Sequence, residues 1–195
     1  MPPIVPSDDQ CRLLERHLDE LETWNRRLNL TAVPRDRAWA KHVEESLALL
    51  EAMAPAPRWR VVDIGAGGGI PGLVVAVLRT DLTVTVVDAD RRKAGFLVHV
   101  AGLLELDNVT VAARRAEEMG RDPETRAAYD AVISRAAAPP PLLVDLAMPL
   151  LRAGGSLWAL VSDAPAAAAG LTNDDVRATA VEQGILRVEK VPATA

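Results

Sequence analysis

Two aspartates close apolar, valine-rich runs, and a glycine-rich loop follows the first of them. In VVDIGAGGGIPGL (61–73), Asp63 stands just ahead of Gly65, Gly67 and Gly69, a G-x-G-x-G pattern that runs on into Pro71 and Gly72. Asp88 ends the next such run, LTVTVVD (82–88). Glycine lets a backbone approach a ligand closely and adopt positive φ. Ile70 breaks the G-x-G-x-x-G dinucleotide fingerprint, and no Gly-Lys-Ser/Thr is present to make a P-loop. A carboxylate beside such a loop repels a pyrophosphate held at a helix N-terminus. It favours a ligand that carries an ammonium or sulfonium group. Asp88, at the end of the following strand, suits the two hydroxyls of a ribose. Together the acids point to S-adenosylmethionine, which is cationic and free of phosphate. NAD, or a structural glycine turn with two surface acids, are the alternatives.

The elements that must position these residues follow from periodicity. Leu14, Leu18, Leu21, Trp24 and Leu28 recur at helical spacing behind a Ser7/Gln10 capping box. A second helix carries Trp39, Val43, Leu47 and Leu50 on one face and stops before Pro55. Both tryptophans fall on the apolar stripes, which makes them core residues rather than a base-stacking platform. From residue 59 the pattern becomes β-rich runs alternating with helices: WRVVDI, LTVTVVD, NVTVAA, YDAVIS and GSLWALV. Repeated βα units predict a mostly parallel sheet with helices on both faces, and ligands bind at the carboxyl ends of its strands. The stretch DAPAAAAGLTND is read as a loose, low-complexity segment, followed by a short helix and one more strand, ILRVEKV. The expected organisation is one domain, a helical extension over 1–57 and a Rossmann-like core over 58–195, with six or seven strands.

The chain has 195 residues, 49% apolar and 25% charged, the profile of a globular domain. A lone Cys11 excludes an internal disulfide and suits a reducing, cytoplasmic setting. The start, MPPIVPSDDQ, lacks the pattern of a signal peptide, and no apolar run is long enough to span a membrane. One cysteine and three scattered histidines give no metal-ligand spacing. The net charge of −5 argues against coating nucleic acid by bulk electrostatics. Yet basic residues cluster at Arg26-Arg27, Arg35/Arg37/Lys41, Arg91-Arg92-Lys93 and Arg114-Arg115, which leaves room for a local polyanion contact.

Six ordered segments, the loop among them, carry a family likeness: WNRRLNLTAV (24–33), HVEES (42–46), VVDIGAGGGIPGL, VVDADRRKAGFL (86–97), RRAEEM (114–119) and YDAVISRAAA (129–138). They resemble the W-N-x-x-x-N-L-T, H-x-x-D-S, D-x-G-x-G-x-G-x-P-G, D-S-x-x-K-R-x-x-F-L, G-R-A-E and Y-D-x-x-x-S-R-A motifs of the RsmG family, also called glucose-inhibited division protein B. The resemblance implies a class I, Rossmann-like, S-adenosylmethionine-dependent methyltransferase acting on N7 of a guanine in 16S ribosomal RNA. It further implies that Gly65 and Ile70 line the cofactor loop and that Ala116 and Glu117 meet the adenine. Arg135 would face the methyl-transfer site as the catalytic residue and touch the cofactor. His42 becomes a positioning or RNA-contacting group. Arg26, Arg27, Arg35, Arg37, Arg91 and Arg92 become candidate phosphate contacts. The implied partner is the small ribosomal subunit, met by a monomer without metal or membrane. The sequence departs from the family pattern at Glu45, where the family has Asp, and at Val161, where it has the lysine of A-L-K-G. It also offers a single strand after the fifth, where the family has a further antiparallel edge strand. Those departures motivate two rival readings: a same-fold methyltransferase with another substrate, and a non-catalytic cofactor- or RNA-binding paralogue.

Overall fold

The structure is a computed structural model and describes residues 3–135, 137–171 and 176–190. The first helix, α1 (Asp8–Leu28), opens on the expected capping box. Gln10 N donates to Ser7 Oγ at 3.2 Å, and Ser7 N donates to Gln10 Oε1 at 3.0 Å. Gln10 Nε2 also donates to the Val77 carbonyl at 3.0 Å, which ties the start of α1 to the body of the fold. Leu14, Leu18 and Leu21 are buried, and Trp24, Leu28 and Trp39 pack against the same core. The second expected helix is composite. Helix α2 (Arg35–Ala38) leads into a π-helical turn, Trp39–Glu44, and then into α3 (Glu45–Met53). Single π turns inside helices often mark functional sites, and this one carries His42.

The remainder alternates strand and helix as read. In order come β1 (Arg60–Ile64), α4 (Gly72–Leu78), β2 (Thr83–Val87), α5 (Arg91–Leu103), β3 (Val109–Ala112) and the single turn α6 (Ala116–Met119). Then follow β4 (Tyr129–Arg135), α7 (Pro140–Ala147), β5 (Leu151–Leu160), α8 (Ala164–Leu171), β6 (Val176–Val181) and β7 (Ile185–Lys190). The sheet has seven strands in the order β3-β2-β1-β4-β5-β7-β6. Strands β1 to β5 pair in parallel, and β7 runs antiparallel to both β5 and β6. The order reverses between β1 and β4, which opens a crevice at their carboxyl ends.

Side chains alternate between two core layers, as the two-residue period of a strand requires. Val61, Val84, Val86, Ala131 and Ile133 face the layer that holds α1, α3, α4 and α5. Val62, Ile64, Val87 and Val132 face the other.

The end of the chain corrects two expectations. Residues 164–171 of the supposed loose stretch form α8, and 176–181 form the strand β6 where a short helix was expected. The strand was hidden by composition. VRATAV is half alanine and threonine, its burial is that of an edge strand, and among the described residues it pairs with β7 alone. Side-chain alternation is weak in such a strand. ILRVEK is therefore the reversed strand, and β6 lies beyond it at the edge. The two are joined by a tight turn in which Gln183 and Gly184 take φ of 63° and 73°. Val191 and the last residues lie outside the described residues, as does Ala136 within YDAVISRAAA.

Candidate functional site

A cavity of about 710 Å³ opens where β1, β2 and β4 end. The glycine loop forms its floor. Gly65, Gly67 and Gly69 all take positive φ, at 69°, 52° and 81°. Gly65 is under the tightest constraint, because a Cβ there would lie 2.4 Å from the Ala137 Cβ. Gly65, Gly67 and Ile70 line the cavity and Gly69 does not. Instead, Gly69 N donates to the Ala66 carbonyl at 2.7 Å and closes the turn.

The reading of Asp63 as an acid at the mouth of the loop is corrected. Asp63 shares the face of Val61, the face that α4 covers, so its side chain points into the sheet–helix interface. It is fully buried and does not line the cavity. Oδ2 accepts from Gly72 N at 2.8 Å, and Oδ1 has no partner. Burial pushes the carboxyl up to about 8, against the Gly72 hydrogen bond, with a smaller push from the charge of Asp88. Gly72 is a glycine because a Cβ there would sit 2.7 Å from Asp63 Oδ2. Asp63 is thus a brace under the loop that satisfies the first turn of α4.

Of the two aspartates, it is Asp88 that lines the cavity. Its Oδ2 accepts from Gly67 N at 3.0 Å, and its Oδ1 accepts from Asp90 N at 2.8 Å. Each oxygen keeps a lone pair for a ligand. Ala116 and Glu117, at the start of α6, line the same side, with Glu117 exposed. Arg135, the last residue of β4, lines the opposite side. Its guanidinium donates to the Lys41 carbonyl and pairs with Glu45 at 3.1 Å, so the π-turn region fixes its direction. Lys41 Nζ takes the other oxygen of Glu45 at 2.8 Å. The longer carboxylate at position 45 therefore spans two cations.

His42 is buried in the cavity wall, with Nε2 3.1 Å from Thr31 Oγ1. Burial, and then the charge of Arg135, holds it down to about 4, so it is neutral near pH 7. Thr31 itself is set by a two-way bond with Asn25: Thr31 N donates to Oδ1 at 2.9 Å, and Nδ2 donates to the Thr31 carbonyl at 2.8 Å. That exchange gives the W-N…N-L-T spacing a physical reason, since residues 30–33 form one wall of the cavity.

The predicted phosphate contacts divide. Arg26 and Arg35 border a second, smaller hollow of about 300 Å³ beside the main cavity. Arg35 is bound to Asp19 and Glu15, and those bonds raise it further above its usual range. Arg92 is held by Asp90 at 3.1 Å at the N-terminus of α5. Arg27, Arg37 and Arg91 are exposed and line neither space. Lys93 and Arg115 line the main cavity and have no ion pair among the described residues. Both stood in basic clusters of the sequence without being singled out. Val161 packs against the second core layer and does not reach the cavity. Among the described residues no three His, Cys, Asp or Glu side chains gather as a metal site, and no helix is long and apolar enough to cross a membrane.

A sheet in this order, with one reversed strand and a glycine-floored cavity at the switch point, is the Rossmann-like fold of class I methyltransferases. A crystal structure of a methyltransferase from Geobacter sulfurreducens superposes with a TM-score of 0.63 at 16% identity, over 98% of this chain and 100% of that one. Residues 10–189 match the model of one family, GidB, rRNA small subunit methyltransferase G, and the chain belongs to that family. The ribosomal RNA small subunit methyltransferase G of Chloroflexus aggregans is 43% identical over 155 residues, and that of Roseiflexus castenholzii is 40% identical over 151. These matches cover 78% and 77% of this chain but 64% of either relative, so the chain spans a little under two thirds of their length.

Proposed function

We propose that this chain is an S-adenosylmethionine-dependent methyltransferase that methylates N7 of a guanine in 16S ribosomal RNA, acting as a cytoplasmic monomer on RNA of the small ribosomal subunit. The observation that carries the reading is the family match over 10–189, in a chain whose matching motifs converge on one cavity. The residues present suit the cofactor. Asp88 offers lone pairs to a ribose at the cavity wall, Ala116 and Glu117 lie beside it for the adenine edge, and Gly65, Gly67 and Ile70 form the floor. A pyrophosphate suits the loop poorly. Gly67 N–H and Gly72 N–H are already taken by Asp88 and Asp63, which leaves few donors for a phosphate nest.

When bound, S-adenosylmethionine supplies an electrophilic methyl group beside a sulfonium charge. Guanine N7 presents a lone pair, so no side chain has to remove a proton first, and neutral His42 is not required as a base. The work of the protein is orientation. Arg135, aimed by Glu45 and the Lys41 carbonyl, offers a fork of N–H donors to a phosphate or to guanine O6. Ala138, Leu142 and Leu146 form an apolar flank of the cavity on which a planar base can rest. The exposed arginines Arg26, Arg27, Arg37 and Arg91 supply salt-sensitive backbone contacts. Ribosomal RNA from cells lacking the protein is expected to have lost one N7-methylguanosine. An unchanged modification profile by mass spectrometry overturns the assignment.

A further inference from the structure

His17 has no part in the chemistry above, yet it sits under the cofactor loop. It lies on α1 within the apolar stripe of Leu14, Leu18 and Leu21 and is fully buried. Its Nε2 is 2.7 Å from the Gly68 carbonyl oxygen. A carbonyl can only accept, so Nε2 carries the proton and Nδ1 is bare. Nδ1 is buried with no partner. A leucine at this place would extend the stripe and remove the unpaired Nδ1, but it would leave the Gly68 carbonyl without its donor. The bond to Gly68 is therefore what a histidine provides here that a core residue does not. Burial holds the imidazole down to about 4, which keeps this neutral form near pH 7.

On the ligand side, Gly67 N–H and Gly69 N–H are committed to Asp88 and Ala66, while Gly68 N–H has no acceptor among the described residues. Gly68 lines the cavity. We infer that His17 is a positioning residue of the cofactor loop: by donating from Nε2 to the Gly68 carbonyl, it fixes the loop peptides so that the Gly68 N–H stays free for an acceptor on the ligand. The N-terminal helix then helps to build the cofactor site and is not only an RNA-facing extension. This inference rests on the methyltransferase reading.

The test compares S-adenosylmethionine affinity by calorimetry in the full chain and in two variants. His17→Leu keeps the volume and removes the donor, and His17→Gln restores a donor near the Nε2 position. The expected result is about a tenfold loss for His17→Leu, the scale of one hydrogen bond, and no more than about a threefold loss for His17→Gln. A purely structural histidine lowers the melting temperature of the leucine variant without moving its affinity. Equal affinity in His17→Leu and the wild type overturns the inference, as does a glutamine variant as weak as the leucine one. If His17→Leu does not fold, histidine ring 1H–15N spectra of the wild type decide. A protonated Nε2 whose signal shifts on adding S-adenosylmethionine supports the role. A proton on Nδ1, or an unmoved signal in a chain that binds the cofactor, overturns it. A wild type that does not bind the cofactor overturns the methyltransferase reading, and this inference with it.

Discussion

Replacing Asp63 by asparagine separates a brace under the loop from an acid that faces the ligand. The carboxyl titrates near 3.8 when free and is pushed up to about 8 by burial in the fold. Between those values the unfolded chain has released its proton and the folded chain has not. Stability from this group is full below the lower value and is lost as pH rises toward the upper one. One proton is worth about 1.4 kcal/mol per pH unit, so about 3 kcal/mol is lost between roughly pH 5 and pH 7. Asparagine has no such slope. It can still accept from Gly72 N, and its amide replaces the unpaired Oδ1 at a pH-independent cost of about 1–3 kcal/mol. His17 and His42, both held down to about 4, also titrate on unfolding, but they occur in both proteins and cancel in the difference. Urea unfolding of wild type and Asp63→Asn at about pH 5, 6 and 7 should show the variant gaining on the wild type by about 3 kcal/mol. Calorimetry should find S-adenosylmethionine affinity within a few fold of wild type. A stability difference that stays flat with pH, or a variant that no longer binds the cofactor, refutes the buried brace.

Three further outcomes follow from the same geometry. Asp88→Ala removes the aspartate that does line the cavity and should weaken S-adenosylmethionine binding about 10- to 100-fold by calorimetry, the scale of hydrogen bonds to a charged group. Glu45→Ala frees the Arg135 guanidinium from its 3.1 Å partner and should lower kcat about fivefold while cofactor affinity stays unchanged, since a partly exposed pair is worth about 1 kcal/mol. Arg26→Gln removes an exposed cation beside the second hollow; filter binding of a 16S rRNA fragment at several salt concentrations should show the slope falling by about one, with no change in cofactor binding.

The parallel core was legible because β-rich runs alternating with helices admit few arrangements, and the loop was legible because positive φ demands glycine. What sequence could not supply was the direction of a side chain set by tertiary packing. Asp63 and Asp88 end similar runs, yet one lies on the face that α4 covers and the other opens on the cavity. The two-residue period gives the face of Asp63 relative to Val61, but only the packed helix says that this face is closed. The pair of Glu45 with Arg135 joins elements far apart in the chain, so no local spacing announces it. Strand β6 escaped because alanine and threonine at an edge carry little alternation. His17 does carry a signal in the sequence, an ionisable residue in the middle of an apolar stripe at helical spacing.

The most direct test of the account is transfer of labelled methyl from S-adenosylmethionine to small ribosomal subunits or their RNA, prepared from cells that lack this protein. The account predicts label recovered as N7-methylguanosine at one position of 16S rRNA, and about 10- to 100-fold less with Asp88→Ala at limiting S-adenosylmethionine. Label on free metabolites only, on another atom of the RNA, or on no product despite cofactor binding contradicts it.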